Sequence, residues 1–274
     1  MAKKKKSIGC PMGYGGTEPN VYGESDLSYN EYLKVLELTN LQIPQSKPGH
    51  HDELLFIIIH QVYELWFKLI IHEIETAVDH LKNKEVLQAH HFIKRIVEIM
   101  KLLVCQIHIL ETMRPVDFLR FRERLQPASG FQSQQFREIE FMLGLKDENY
   151  LKYFKKSPDV TKSLKKRLDE PDLHWAYFEM LKNLGYKTEG PAKIKSLCKI
   201  YQDPQDNLPL YLLSESLIEL DEYLALWREH HVRVVERIIG GKRGTGGSSG
   251  IEYLRSTSHK KCFPELWEIR SHLN

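Results

Sequence analysis

The sequence predicts an all-α fold, a bundle of long antiparallel helices with short accessory helices on one side. Two segments of thirty residues, Asp52 to Leu81 and Leu210 to Ile239, carry apolar residues at helical spacing along their whole length. A third, Val86 to Met113, repeats the pattern, and no stretch alternates apolar and polar residues with the period of two that a strand requires. Long helices joined by short connections bury their apolar stripes most simply by packing side by side.

The chain opens with Lys3-Lys4-Lys5-Lys6, the basic start of a signal peptide, but Ser7 to Gly13 supplies no continuous apolar run after it. Residues 1–26 are therefore expected to be a disordered basic tail and lead-in, and 27–274 a single domain. Over 27–40, Tyr29, Tyr32, Leu33 and Leu36 recur at i, i+3, i+4 and i+7, a helical stripe too short to be stable without docking on something. From Asp52 to Leu81 the stripe runs through Leu55, Ile58, Ile59, Val62, Leu65, Trp66 and Leu69, with Asp52 and Glu53 suited to a helix N-terminus. Val86 to Met113 follows through Phe92, Ile96, Met100, Leu103, Ile107 and Leu110, and Pro115 stops or restarts it. A short helix over Val116 to Leu125 and another over Phe131 to Leu143, closed by Gly144, come next. Asp147 to Glu170, Leu173 to Leu184 and Ile194 to Tyr201 read as shorter accessory helices, about 147–205, separated by Pro171, Gly185 and Pro191. The last long helix, Leu210 to Ile239, carries Leu213, Leu217, Leu220, Leu224, Trp227, His231, Val235 and Ile238 on one stripe and ends at Gly240-Gly241.

With 42% hydrophobic residues in 274, the chain has enough apolar material for a sizeable core. Lys and Arg number 39 against 37 Asp and Glu, a balance that favours neither nucleic acid nor a membrane surface as partner. Glu64 and Lys68 break the longest apolar runs, so no stretch is expected to span a bilayer and the protein is expected to be soluble. Cys10, Cys105, Cys198 and Cys262 form no Cys-x-x-Cys pair, which suits a reducing cytoplasm better than a disulfide scaffold or a zinc module.

Several polar residues stand where chemistry is possible. His231 lies among Leu224, Trp227, Val235 and Ile238, so its imidazole should point into an apolar interior. It is either a hydrogen-bonded core histidine or an axial haem ligand, because iron binds the unprotonated nitrogen that such a site favours. Spacing alone leaves His230, one step round the helix, as a competitor. His60 shares a face with Phe56, Tyr63, Glu64 and Phe67, which either meets a polar neighbouring helix or lines a cavity for a flat ligand bearing an N–H donor. Arg122 follows Phe118 and Phe121. Most of the charge on Arg120, Arg122 and Arg124 belongs on a solvated face, yet one guanidinium turned inward would clamp a carboxylate through two parallel hydrogen bonds. Ser129, in Pro127-Ala128-Ser129-Gly130, reads as a turn residue or cap. Gly244-Thr245-Gly246-Gly247-Ser248-Ser249-Gly250 has the composition of a flexible linker, and it is not a P-loop, since it lacks the Gly-Lys-Ser/Thr ending and follows a helix.

The segments Phe56 to Gln61, Pro127 to Ser133 (five residues after Arg122) and Arg243 to Gly250, in this order and spacing, closely resemble the tryptophan 2,3-dioxygenase family. The resemblance runs from about Leu27 to Leu266. It implies a haem b enzyme, ferrous when active, that inserts both atoms of O2 across the C2–C3 bond of the L-tryptophan indole to give N-formyl-L-kynurenine, the first step of the kynurenine pathway. The family's proximal histidine stands fourteen residues before the loop threonine, as His231 does before Thr245, so the resemblance selects His231 as the iron ligand. It further implies that Phe56 packs on the indole, that His60 meets the indole N–H as the catalytic histidine, and that Arg122 binds the substrate carboxylate. Phe118 occupies a position where some members carry Tyr. Ser129 is implied on the distal side, near haem and indole, and Thr245 at the amino-acid head group, where the glycines let backbone approach the ligand. Tyr29, Tyr32, Leu33 and Leu36 are implied to close the pocket of a neighbouring subunit in a cytoplasmic homotetramer. The alternatives are a haem-dependent monooxygenase or peroxygenase on a related indole, or a helical haem-binding protein without turnover. Arg122 and Thr245 speak against the last, since a carrier has no use for an amino-acid clamp.

Overall fold

The computed structural model describes residues 27–246 and 249–273. The expected basic tail, with Lys3 to Lys6 and Cys10, lies outside the described residues. The chain divides into two units, one ending at Gln42 and one beginning at Ile43.

In the first unit, the expected single helix is two short ones, α1 (Tyr29–Leu33) and α2 (Val35–Leu38). Ser28 and Glu31 form a capping box that starts α1. Lys34 ends it in the left-handed conformation, φ 53°, so Leu36 is not on one continuous stripe with Tyr29, Tyr32 and Leu33. Neither helix buries a residue.

The second unit is built on three helices, α3 (His51–Lys82), α4 (Val86–Leu110) and α10 (Leu208–Ile239), with no strand among the described residues. Contacts between α3 and α4 run in opposite senses. Ile59 meets Gln106, Tyr63 meets Leu103 and Glu73 meets Arg95, as expected of an antiparallel pair. Those between α4 and α10 run in the same sense, from Lys101 with Glu219 to His108 with His230. The core is thus not antiparallel throughout: α10 is parallel to α4, and the chain from 111 to 207 is the return connection that this requires. That return contains α5 (Pro115–Arg122), α6 (Gln134–Met142), α7 (Pro158–Asp169), α8 (Leu173–Asn183) and α9 (Ala192–Gln202). The expected helix pattern over Asp147 to Glu170 resolves into a 3-10 segment, Glu148–Phe154, followed by α7. Gly144, with φ 96°, ends α6 as expected; a Cβ there would sit 3.1 Å from that of His174 and in a backbone conformation side chains avoid.

Ile70, Ile74, Ala77 and Leu81 of α3, Ile93, Ile96 and Leu103 of α4, and Leu213, Leu217 and Leu224 of α10 are buried together in the main core. Contrary to the sequence expectation, α3 is long and apolar enough to cross a membrane by length and composition. In the fold it buries Tyr63, Phe67, Ile70 and Ile74, and its buried Glu73 is paired with Arg95 of α4 at 3.0 Å. After α10 come α11 (Ile251–Ser258) and α12 (Pro264–Glu268), which the apolar pattern did not announce because they have only eight and five residues. Asp221, buried on α10, fastens this end of the chain: it accepts from the backbone of Cys262 at 2.9 Å and of Phe263 at 3.2 Å, and from Trp267 Nε1 at 2.9 Å. Cys105, Cys198 and Cys262 are free thiols.

Candidate active site

One cavity collects nearly all the polar residues singled out in the second unit. Phe56, His60, Tyr63, Glu64 and Phe67, the mixed face of α3, line one side. The stripe on α10 is buried down to Leu224 and then opens onto the cavity at Trp227, His231 and Val235. Phe118 and Arg122 of α5, Ser129, and Gly244 and Thr245 of the glycine-rich loop line it as well. Tyr29, Tyr32, Leu33 and Leu36 belong to the other unit and are exposed there.

His231 is half-buried by area because the cavity touches its ring, but protein otherwise encloses it. Burial pushes its pKa down to about 4, with a further push from His60 nearby, so the ring is neutral. Trp227, one turn earlier, lies nearly parallel to it, ring centroids 5.4 Å apart at 12°. His230 turns away to meet His108 at 5.2 Å, so the geometry separates the two histidines that spacing alone did not.

Burial likewise lowers the pKa of His60, against a hydrogen bond with the Phe56 carbonyl and the charge of Glu64, which both work to raise it. Its Nδ1 lies 2.7 Å from Phe56 O. Phe56 packs against the His60 ring at 4.1 Å and against Phe118 at 5.5 Å, giving an apolar wall beside one polar ring.

Arg122 and Thr245 are tied to backbone. Arg122 Nη2 donates to the Arg243 carbonyl, and Thr245 Oγ1 donates to the Ala128 carbonyl at 2.6 Å. The first bond ties the glycine-rich loop to α5, and the second latches it onto the Pro127 to Ser129 turn. Gly246 makes the fit possible, since a Cβ there would come within 2.7 Å of Ser129 Cβ. Ser129 faces the cavity, and its hydroxyl caps the following turn by accepting from Phe131 N at 3.3 Å.

Sequence reasoning missed part of the lining. Phe136, Arg137 and Glu140 of α6, Arg228 of α10 and Tyr253, Leu254 and Thr257 of α11 were not singled out. Arg228 left a signal, as a charge on the buried side of the apolar α10, whereas Arg137 and Glu140 did not stand out on α6, which also carries Gln134, Gln135 and Glu138.

The family model for tryptophan 2,3-dioxygenase matches the chain in two overlapping stretches, residues 16–193 and 184–273. Among curated proteins, the tryptophan 2,3-dioxygenase of a Nocardioides species is 45% identical over 260 residues, covering 92% of this chain and 97% of its own. That of Herpetosiphon aurantiacus is 45% identical over 261 residues, 90% of this chain and 98% of its own. The Caulobacter vibrioides protein of the same name is 40% identical over 262 residues, 90% and 99%. Matched along almost its whole length by the family model and by relatives of equal extent, the chain belongs to the tryptophan 2,3-dioxygenase family.

Proposed function

We propose that the chain is a haem-dependent dioxygenase that cleaves the C2–C3 bond of the L-tryptophan indole with O2, giving N-formyl-L-kynurenine and opening tryptophan degradation by the kynurenine pathway. The observation that carries this reading is the meeting, in one cavity, of a neutral histidine on α10, a neutral histidine on α3 and an arginine on α5.

The residues present fit a haem. A buried ring kept neutral is the form in which imidazole binds iron, and Val235, Ile238 and Leu254 give His231 apolar surroundings that suit a flat macrocycle. Haem b held by His231, ferrous in the active state, supplies oxygen binding and redox chemistry. The side chains do the rest. Phe56 and Phe118 offer ring faces to the indole, and the acceptor nitrogen of His60 takes its N–H. Arg122 and Thr245 exchange their backbone partners for the carboxylate and ammonium of the amino acid, and Ser129 sits against Gly246 of the loop that carries Thr245. Both atoms of O2 enter the product and the indole nitrogen keeps its hydrogen as a formamide, so the balanced reaction asks for no net proton transfer. Orientation is what His60 must provide.

In the same reading the enzyme is a cytoplasmic homotetramer. The near-equal charge and free thiols suit that compartment. Tyr29, Tyr32, Leu33 and Leu36, from helices that bury nothing of their own, supply an apolar surface for a neighbouring subunit. Neither nucleic acid nor a membrane is a partner.

The deciding experiment is anaerobic reduction of the haem-loaded protein, addition of L-tryptophan and admission of O2, with product mass measured. A gain of two oxygen atoms is expected. A gain of one would mean a monooxygenase, and haem binding with no product would mean a carrier.

A further inference from the structure

We propose that the cavity contains a second carboxylate subsite, formed by Arg137 and Arg228 around Glu140, that takes a carboxylate of the bound cofactor; this rests on the haem reading above. Arg137, Glu140 and Arg228 are each 4% exposed, and all three line the cavity. Glu140 accepts from Arg228 Nη2 at 2.6 Å and from Arg137 Nη1, and Arg228 Nη1 also donates to the Lys260 carbonyl at 3.2 Å. Two guanidinium groups therefore share one carboxylate, and the buried Nε–H of each has no acceptor.

Neighbouring charges do not settle the excess. Both guanidinium groups pair with Glu140 alone: Glu138 is engaged by Arg167 at 3.2 Å, and Glu64 keeps its charge on the far side of the cavity lining, where it accepts from the neutral amide of Gln135 at 2.8 Å. The Tyr150 ring, 3.5 Å from the Arg137 guanidinium carbon, eases its charge from the face but cannot accept its in-plane N–H. A buried cation in excess, with donors left over, is costly unless an anion arrives. The substrate carboxylate has Arg122 on a different helix. Arg228 lies three residues before His231, a spacing at which Cβ atoms on a helix are about 5–6 Å apart, so a cofactor ligated by His231 is the nearest source of an anion.

The test compares haem with its dimethyl ester, which lacks both carboxylates, reconstituted into the full-length wild type, Arg228→Gln and Arg137→Gln, with transfer to excess apomyoglobin as the readout. Wild type should release the ester at least about tenfold faster than haem, the scale of a charge-assisted contact. Each variant should release haem about tenfold faster than wild type while releasing the ester at nearly the wild-type rate, and Arg228→Lys should recover part of the retention for haem alone. Equal losses of haem and ester would mean that the arginines only brace the fold and would overturn the subsite. Should the Gln variants not fold, the wild type decides, and equal release of haem and ester overturns it. An unchanged haem-to-ester ratio with weakened L-tryptophan but not tryptamine binding would assign the arginines to the substrate and also overturn it. Failure of the underlying haem reading looks different: wild type would then take up neither compound with a His231-dependent spectrum.

Discussion

The Nδ1 atom of His60 lies 2.7 Å from the carbonyl oxygen of Phe56, one turn earlier on α3. A carbonyl only accepts, so in the neutral ring Nδ1 carries the hydrogen and Nε2 is left as the acceptor. His60→Ala should keep its haem and slow turnover about tenfold, because an orienting hydrogen bond of roughly 1–2 kcal/mol is lost. Since burial lowers the pKa of His60, any fall in wild-type turnover from its protonation should set in at a pH below the ordinary histidine value. Complete inactivity of a haem-replete variant would assign His60 an obligatory proton-transfer role instead.

The two adjacent histidines of α10 make an internal control. His231→Ala should purify largely without haem, whereas His230→Ala, which alters a ring facing His108 outside the cavity lining, should retain it. Absorbance of the two purified variants decides the matter, and full haem with an unchanged ferrous spectrum in His231→Ala would remove the ligand assignment.

Arg122→Ala should leave haem content intact and weaken L-tryptophan binding by roughly 2–4 kcal/mol, the scale of a charge-assisted bidentate contact. Lysine should rescue poorly, since it lacks the planar fork. Because Arg122 also holds the glycine-rich loop through the Arg243 carbonyl, an indole without a carboxylate is the necessary comparison. A purely structural loss would penalise both ligands alike.

Glu265 of α12 joins α8 and α9 through His174 at 3.1 Å and through Lys193. Burial works to raise its pKa, but the hydrogen bonds from His174 and Lys193 prevail and bring it down to about 2. A carboxyl whose pKa is lower in the folded than in the unfolded chain stabilises the fold above the unfolded value near 4.5, and that stability is lost as pH falls towards 2. The stability of wild type over Glu265→Gln, up to about 3 kcal/mol at neutral pH, should shrink by roughly 1 kcal/mol by about pH 3.5. Urea unfolding at both pH values checks this. A constant difference would mean that packing, not ionisation, sets the effect.

The long helices were legible because thirty residues of repeating apolar positions leave few alternatives. The mixed face of α3 was legible for the same reason: helical periodicity puts Phe56, His60, Tyr63, Glu64 and Phe67 on one side, and all five line the cavity. Periodicity carries no information about direction, so the parallel placement of α10 beside α4 was not visible. Nor does it show which buried charges meet. Arg137 and Glu140 are three apart on α6, but their partner Arg228 is on α10, and only the fold brings it to them. The break at Lys34 escaped notice because a left-handed lysine has no sequence signature of the kind glycine gives.

The short helices α1 and α2 expose Tyr29, Tyr32, Leu33 and Leu36 and bury none of their own residues. Elements of this length hold their shape only against a partner. In the proposed tetramer that partner is the pocket of another subunit, which the aromatic side chains would close against water. Deleting residues 1–38 should then leave haem on His231 and sharply weaken L-tryptophan binding. Hybrids distinguish closure of a neighbour from closure of the same chain. When a truncated subunit with intact Arg122 is co-expressed with a full-length Arg122→Ala subunit under separate tags, some pockets combine a whole arginine with a whole N-terminal segment from the other chain. Purified hybrids should recover part of the wild-type activity that neither parent has. Hybrids of verified composition with no more activity than the parents would show that each segment serves its own chain.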